Sequence, residues 1–183
     1  FFTVFLFVIA TTLLSGPGLL RAATLPDDYL TAKAAILVDA HTGAILYEKN
    51  ADLPLPPAST TKVMTAIVAI EQEPLNARLK VTKNATQVAP CKISVRPGEQ
   101  WKLNDLLRCL LLNSANDAGV VIAEGSAGSV QNFALLMNRK AHALGATHTH
   151  FANPHGLDQA NHYSTARDMT LIFKHAVQIP VIR

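Results

Sequence analysis

The segment "PPASTTKVMTAIVAI", from Pro56 to Ile70, constrains the chain most: Val63 to Ile70 are all apolar apart from Thr65, yet Lys62 stands at their head. A proline-rich stretch, "ADLPLPPA", delivers the chain to this segment, and Ser59 reads as the N-terminal position of a helix. Lys62 then lies against Val63, Met64, Ala66 and Ile67. A charge in such company is either a surface group whose stem snorkels out of the apolar face or a working group. With 49% hydrophobic and 16% charged residues, the 183-residue chain has material for one globular domain with a substantial core.

Upstream, "AAILVDAHTGAILYEKN" holds two β-rich runs, Ala35–Val38 and Ala44–Tyr47, joined by a polar turn ending in Gly43. This pattern predicts a hairpin. Residues 80–100 alternate and contain Pro90, Pro97 and Gly98, which reads as short strands and turns. "WKLNDLLRCLLLNSAND" predicts a helix capped by Asn104, with Leu103, Leu106, Leu107, Leu110 and Leu111 on its apolar side. It breaks at Asn113-Ser114, and a short helix follows through "DAGVVIAEG" to Gly125. Ser129 caps a helix ending at Gly145, "THTHFANPHGLDQANHY" is a long loop, and Thr165 starts a last helix. Strands and helices do not alternate in βαβ fashion, so the expected class is α+β rather than a doubly wound sheet.

The net charge of +3 is scattered, with no basic stripe interleaved with aromatics, so nucleic acid is set aside as a partner. Residues 1–14 hold eleven apolar residues, three threonines and no charge, followed by Ser15-Gly16-Pro17-Gly18 and Ala22-Ala23. This is the layout of a secretory signal peptide, expected over residues 1–23 as a partial signal that lacks its first residues, with cleavage near Ala22 or Ala23. A buried N-terminal helix is the alternative. Export would place Cys91 and Cys109 in an oxidising compartment, where one disulfide is conceivable; Cys109, on a helix face in "LLRCLLL", equally reads as an inert thiol.

Two short constellations can carry chemistry. Ser59 and Lys62 are three residues apart, so in a helix the hydroxyl and the amine share a face. Serine needs an adjacent base to attack, and a desolvated lysine can be that base. The free N–H groups of a helix start suit a developing oxyanion. The alternative is a capping serine beside a snorkelling lysine, since S-x-x-K often occurs by chance. The second constellation is Ser114-Ala115-Asn116 at the helix break, whose hydroxyl and carboxamide could relay a proton and grip a substrate amide; a plain turn is the alternative. His148, His150, His155 and His162 gather within one loop with Asp158, but no H-E-x-x-H spacing is present, so neither a metal nor a cofactor is expected.

Together, "PASTTKVMTAIVAIE", "NSANDAGVVIAEG", "FALLMNRKAHALGATHTHFANPHGLD" and "HYSTARDM" resemble the low-molecular-mass penicillin-binding proteins, the serine-type D-alanyl-D-alanine carboxypeptidases, from about Ala34 onward. The resemblance implies a β-lactamase/transpeptidase-like fold, a helical cluster against an antiparallel sheet. It implies catalytic roles for Ser59, Lys62 and Ser114 and substrate binding by Asn116. Its implied substrates are peptidoglycan stem pentapeptides, with β-lactams as acylating inhibitors, outside the cytoplasm. It also places His155 of "NPHGLD" near the active site, although a loop-stabilising histidine is the plainer reading. A class A β-lactamase-like hydrolase and a non-catalytic wall-binding protein of the same fold are the alternatives.

One motif of the family is missing. Lys-Thr-Gly does not occur, and His41-Thr42-Gly43 precedes Ser59 in a hairpin turn, the wrong place for it. Residues 24–183 are therefore expected to be the N-terminal portion of a catalytic domain that ends before this motif, inactive by themselves, with any membrane association lying in a C-terminal segment not included here.

Overall fold

The computed structural model describes residues 30–183; the signal-peptide reading of residues 1–23 lies outside the described residues. Helix α1 (Thr61–Gln72) is the axis of the domain. Met64, Ala66, Ile67, Val68 and Ala69 are buried around its whole circumference, as an almost uninterrupted apolar run requires. It touches α2 (Leu103–Leu112), α3 (Asn116–Ala127), α4 (Val130–Ala143) and α5 (Ala166–Ala176). Helix α3 is nearly as enclosed, with Ala118, Val121, Ile122 and Ala123 completely buried. Phe133 and Met137 of α4, Phe151, and Ile172 of α5 close the core around these two helices.

Among the described residues, two small antiparallel sheets flank the helices. Strands β1 (Ala35–Val38) and β2 (Ile45–Lys49) form the predicted hairpin, with a register irregularity between Leu37 and Val38. Asp39 closes its turn by accepting the Thr42 hydroxyl at 2.7 Å. The hairpin leans on α5 across an apolar groove lined by Ile36, Val38, Met169, Phe173 and Val177. Strands β3 (Arg78–Lys80) and β4 (Gln100–Lys102) pair on the other side of the core, next to α3. The mixed architecture matches the expected α+β class.

Element ends depart from expectation where tertiary contacts replace local signals. Helix α2 starts at Leu103 rather than after an Asn104 cap: the Leu103 N–H bonds Ala77 O (2.9 Å) and the Asn104 N–H bonds Leu75 O (3.0 Å). Backbone carbonyls of the preceding loop thus satisfy the donors that a side-chain cap would serve. Ser59 does not start α1 but sits in a 3-10 turn, Ala58–Thr60, just before it. Helix α3 passes through Gly125 and ends at Gly128 in the left-handed conformation. Ser129 and Thr165 do cap α4 and α5, accepting the N–H groups of Asn132 and Asp168, each at 3.0 Å.

Gly125 is accommodated inside α3 because β3 comes too close for a side chain: a Cβ there would lie 2.9 Å from Leu79 Cβ and 3.0 Å from its Cδ2. Alanine would gain about 1 kcal/mol of helix propensity. It would also overpack the α3–β3 contact, which costs about 1–3 kcal/mol. Gly125→Ala is expected to lower the thermal unfolding midpoint in a calorimetric scan, against the usual stabilising trend of glycine-to-alanine changes in helices.

Candidate active site

Ser59 is presented to solvent by the 3-10 turn ahead of α1, and its predecessor Ala58 adopts φ +48°, a left-handed conformation that costs an alanine energy. Lys62, one helical turn on, is only 2% exposed. Its Nζ donates to Ser59 Oγ (3.1 Å) and to the His155 carbonyl (2.7 Å). Ser114 arrives from the break between α2 and α3 at φ +55°, a conformation fixed when the Asn113 and Ala115 N–H groups both bond Cys109 O (3.1 Å each). From there the Ser114 hydroxyl donates to Ser59 Oγ at 3.0 Å. Three of the four residues singled out in the sequence therefore meet at one oxygen.

Asn116, the fourth, is buried at the start of α3 and turned toward the 89–95 loop. Its N–H bonds Cys91 O (2.6 Å) and its Nδ2 donates to Pro90 O (2.7 Å). Beside it, the fully buried Asp117 carboxylate accepts the N–H groups of Ile93 (3.1 Å) and Val95 (3.3 Å). Asp117 thereby docks this loop, in which Cys91 and Ser94 are also left-handed, against the second constellation. No motif points to Asp117; its one signal in the sequence is a carboxylate that opens an otherwise apolar helix.

The long loop after α4 forms the back of the site, and its order comes from side-chain clamps. Asn138 bonds both backbone groups of Phe151 (2.9 and 2.7 Å), and the Thr65 hydroxyl donates to Pro154 O (2.7 Å). The Ala152 N–H donates to His162 Nδ1 (2.9 Å), so His162 Nε2 carries the proton and donates to Thr61 Oγ1 (3.0 Å). The His155 ring accepts the Leu157 N–H at 3.2 Å. His155 thus stabilises its loop through its ring and touches the site through its carbonyl, so both sequence readings of it describe part of what it does.

The four imidazoles point to separate partners: His148 to Thr147, His150 to Asn161 O, His155 to Leu157, and His162 to Thr61 and Ala152. Among the described residues no three acidic, histidine or cysteine side chains converge as metal ligands would. Cys91 is exposed, Cys109 is partly buried, and both are free thiols. Burial, with a smaller effect from Asp117 and Asp105, pushes the Cys109 thiol pKa up and makes it less reactive.

Desolvation lowers the Lys62 pKa below the ordinary lysine value, with a weak opposing effect from Cys91. Its hydrogen-bond partners are a hydroxyl and a carbonyl, neither of which brings the negative charge that would restore the ammonium. A neutral Lys62 amine can take the Ser59 proton across 3.1 Å as the oxygen attacks. The Ser114 hydroxyl, which donates to the same oxygen, holds a proton of its own beside the reacting atoms. Burial first, then the charge of Lys62 and then His162, brings the His155 pKa down to about 4.

Linkage gives these shifts their sign. Between its lowered folded value and 10.5, Lys62 binds more protons in the unfolded chain, so its contribution to stability improves as pH rises through that interval. Near neutral pH the buried amine is a liability, and Lys62→Met is expected to fold and to melt no lower than the parent chain in a thermal scan. His155 also binds more protons when unfolded between about pH 6.5 and about 4, so stability falls as pH drops through that window. In His155→Gln the unfolding midpoint should fall less across the same interval.

Comparison with known proteins identifies the family. The sequence pattern of the D-alanyl-D-alanine carboxypeptidase family, peptidase S11, matches residues 21–182. A D-alanyl-D-alanine carboxypeptidase of Bacillus subtilis is 36% identical over 152 residues, covering 80% of this chain and 39% of the relative. A D-alanyl-D-alanine endopeptidase of Pseudomonas aeruginosa is 35% identical over 182 residues, covering 98% of this chain and 58% of the relative. The crystal structure of a D-alanyl-D-alanine carboxypeptidase from Mycobacterium tuberculosis superposes with a TM-score of 0.83 at 35% identity, covering 89% of this chain and 61% of that one. The chain thus spans roughly 40–60% of the length of these relatives. Its fold is the penicillin-binding, transpeptidase-like fold, and the chain belongs to the peptidase S11 family of D-alanyl-D-alanine carboxypeptidases.

Proposed function

We propose that the whole protein is an exported serine carboxypeptidase that removes the terminal D-alanine from peptidoglycan stem pentapeptides. The observation that carries this reading is the Ser59 hydroxyl, set 3.1 Å from a buried lysine amine and 3.0 Å from a second serine hydroxyl, in a chain of this family. Ser59 is the nucleophile and Lys62 the base that deprotonates it. Ser114 gives its hydroxyl proton to the leaving D-alanine nitrogen and is reprotonated by the ammonium formed at Lys62, as general acid–base catalysis of acyl transfer requires. Asn116, whose amide nitrogen is committed to Pro90 O, offers its carbonyl oxygen to a substrate N–H. Water then hydrolyses the acyl-enzyme. β-Lactams acylate the same oxygen and inhibit. The apolar, uncharged start of the chain supports export to the extracytoplasmic face of the membrane.

In the whole protein, D-alanine release from a synthetic stem pentapeptide should be measurable and should fall by several orders of magnitude in Ser59→Ala and Lys62→Met. Bound penicillin should persist well beyond one turnover. Rapid penicillin release without D-alanine release would instead identify a β-lactamase. Retention on peptidoglycan without either reaction would identify a wall-binding protein.

A further inference from the structure

Gly156 follows the residue whose carbonyl holds Lys62, and it lies against the backbone that presents Ser59. Its φ is +88°, and a Cβ there would fall 1.8 Å from Ala58 O, 2.3 Å from Ala58 C and 3.0 Å from Ser59 N. Backbone cannot step aside as a flexible side chain can, so this contact admits no residue but glycine. By comparison, Gly128 has a similar φ of +75° but open space where a side chain would stand. The approach at Gly156 is therefore a packing demand in addition to a conformational one.

The turn carrying Gly156 is held by one buried amide. Asn153 Oδ1 accepts the N–H groups of His155 (3.2 Å) and Gly156 (2.7 Å). Its Nδ2 donates to Leu157 O (2.9 Å) and Gln159 Oε1 (3.1 Å). Asn153 is 3% exposed, and all four bonds stay within residues 153–159. The turn is therefore rigid in itself, and Thr65 fixes it to α1 through Pro154 O. One face of this rigid turn presents the His155 carbonyl to Lys62, and the other lies on the Ala58–Ser59 peptide.

We propose that Gly156, locked by Asn153, is a positioning residue for the Ser59–Lys62 pair: its missing side chain lets one rigid turn set the nucleophile's peptide and the lysine's carbonyl acceptor at a fixed separation. Resting on the reading of Ser59 and Lys62 given above, the proposal assigns the "NPHGLD" turn a task distinct from chemistry. It aligns base and nucleophile and covers the amine from water. Moving the turn outward by the width of a methyl group would lengthen the Lys62–His155 contact and admit solvent to the amine.

The test reads Lys62 directly and needs no turnover. In the whole protein labelled with 13C-lysine, the Lys62 Cε resonance is titrated by NMR in the parent, Gly156→Ala, Asn153→Ala and Gly128→Ala, with Lys62→Arg used for assignment. The expected result is a Lys62 midpoint below the ordinary lysine range in the parent and in Gly128→Ala. It should shift up toward that range in Gly156→Ala and, by less, in Asn153→Ala. Gly128→Ala is the control for general destabilisation by a left-handed alanine. A Gly156→Ala or Asn153→Ala chain that melts cooperatively with the parent's Lys62 midpoint overturns the proposal. So does a failure of both to fold, which would make the turn a support of the whole domain. A parent that shows these shifts but releases no D-alanine in the whole protein would leave the positioning role standing and remove the proposed activity.

Discussion

A lysine that is 2% exposed, with a hydroxyl and a carbonyl as the hydrogen-bond partners of its amine, is the constraint around which this domain is organised. Burying an ammonium without a counter-charge is costly, and the group responds by releasing its proton more readily. That response is useful only if a proton donor stands within reach and water does not. The 3-10 turn before α1 supplies the donor, Ser59. The loop of residues 150–163 supplies the cover, pinned by Asn138, Thr65, Thr61 and the amide of Asn153.

Backbone strain gathers at the same place. Ala58, Cys91 and Ser114 are left-handed without being glycine, and each is in or hydrogen-bonded to the segments that carry the Ser59–Ser114 pair. Each such residue costs on the order of 1–3 kcal/mol. The enclosed helices α1 and α3 supply the packing that holds these conformations, because their apolar faces cannot shift without opening the core. Rigidity of the core and strain at the site are thus two parts of one arrangement: a stiff scaffold holds Lys62 and Ser114 within hydrogen-bond reach of Ser59 Oγ.

Much of this could be read from the chain, and the remainder had physical reasons for being hidden. The apolar run after Lys62 announced α1, and the Ser129 and Thr165 caps marked α4 and α5, because helix starts depend on local chemistry. The start of α2 falls at Leu103 rather than after the expected Asn104 cap, since its N–H groups are served by Leu75 and Ala77 carbonyls that only the fold brings near. Ser59, Lys62 and Ser114 were legible through residue type and motif spacing. Gly156 and Asp117 were not, because they act on backbone distant in sequence, and Asn153 was not, because its bonds lie inside a loop with no periodic pattern. A glycine selected by a carbonyl of residue 58 leaves no periodic trace.

Because Ser59 and Ser114 stand 3.0 Å apart and share a hydrogen bond, the account turns on which oxygen is the nucleophile. Peptide mapping by mass spectrometry, after brief exposure of the whole protein to benzylpenicillin, decides it. A penicilloyl adduct on Ser59 with Ser114 unmodified is the expected result. An adduct on Ser114, or on another residue while Ser59 stays free, would contradict it.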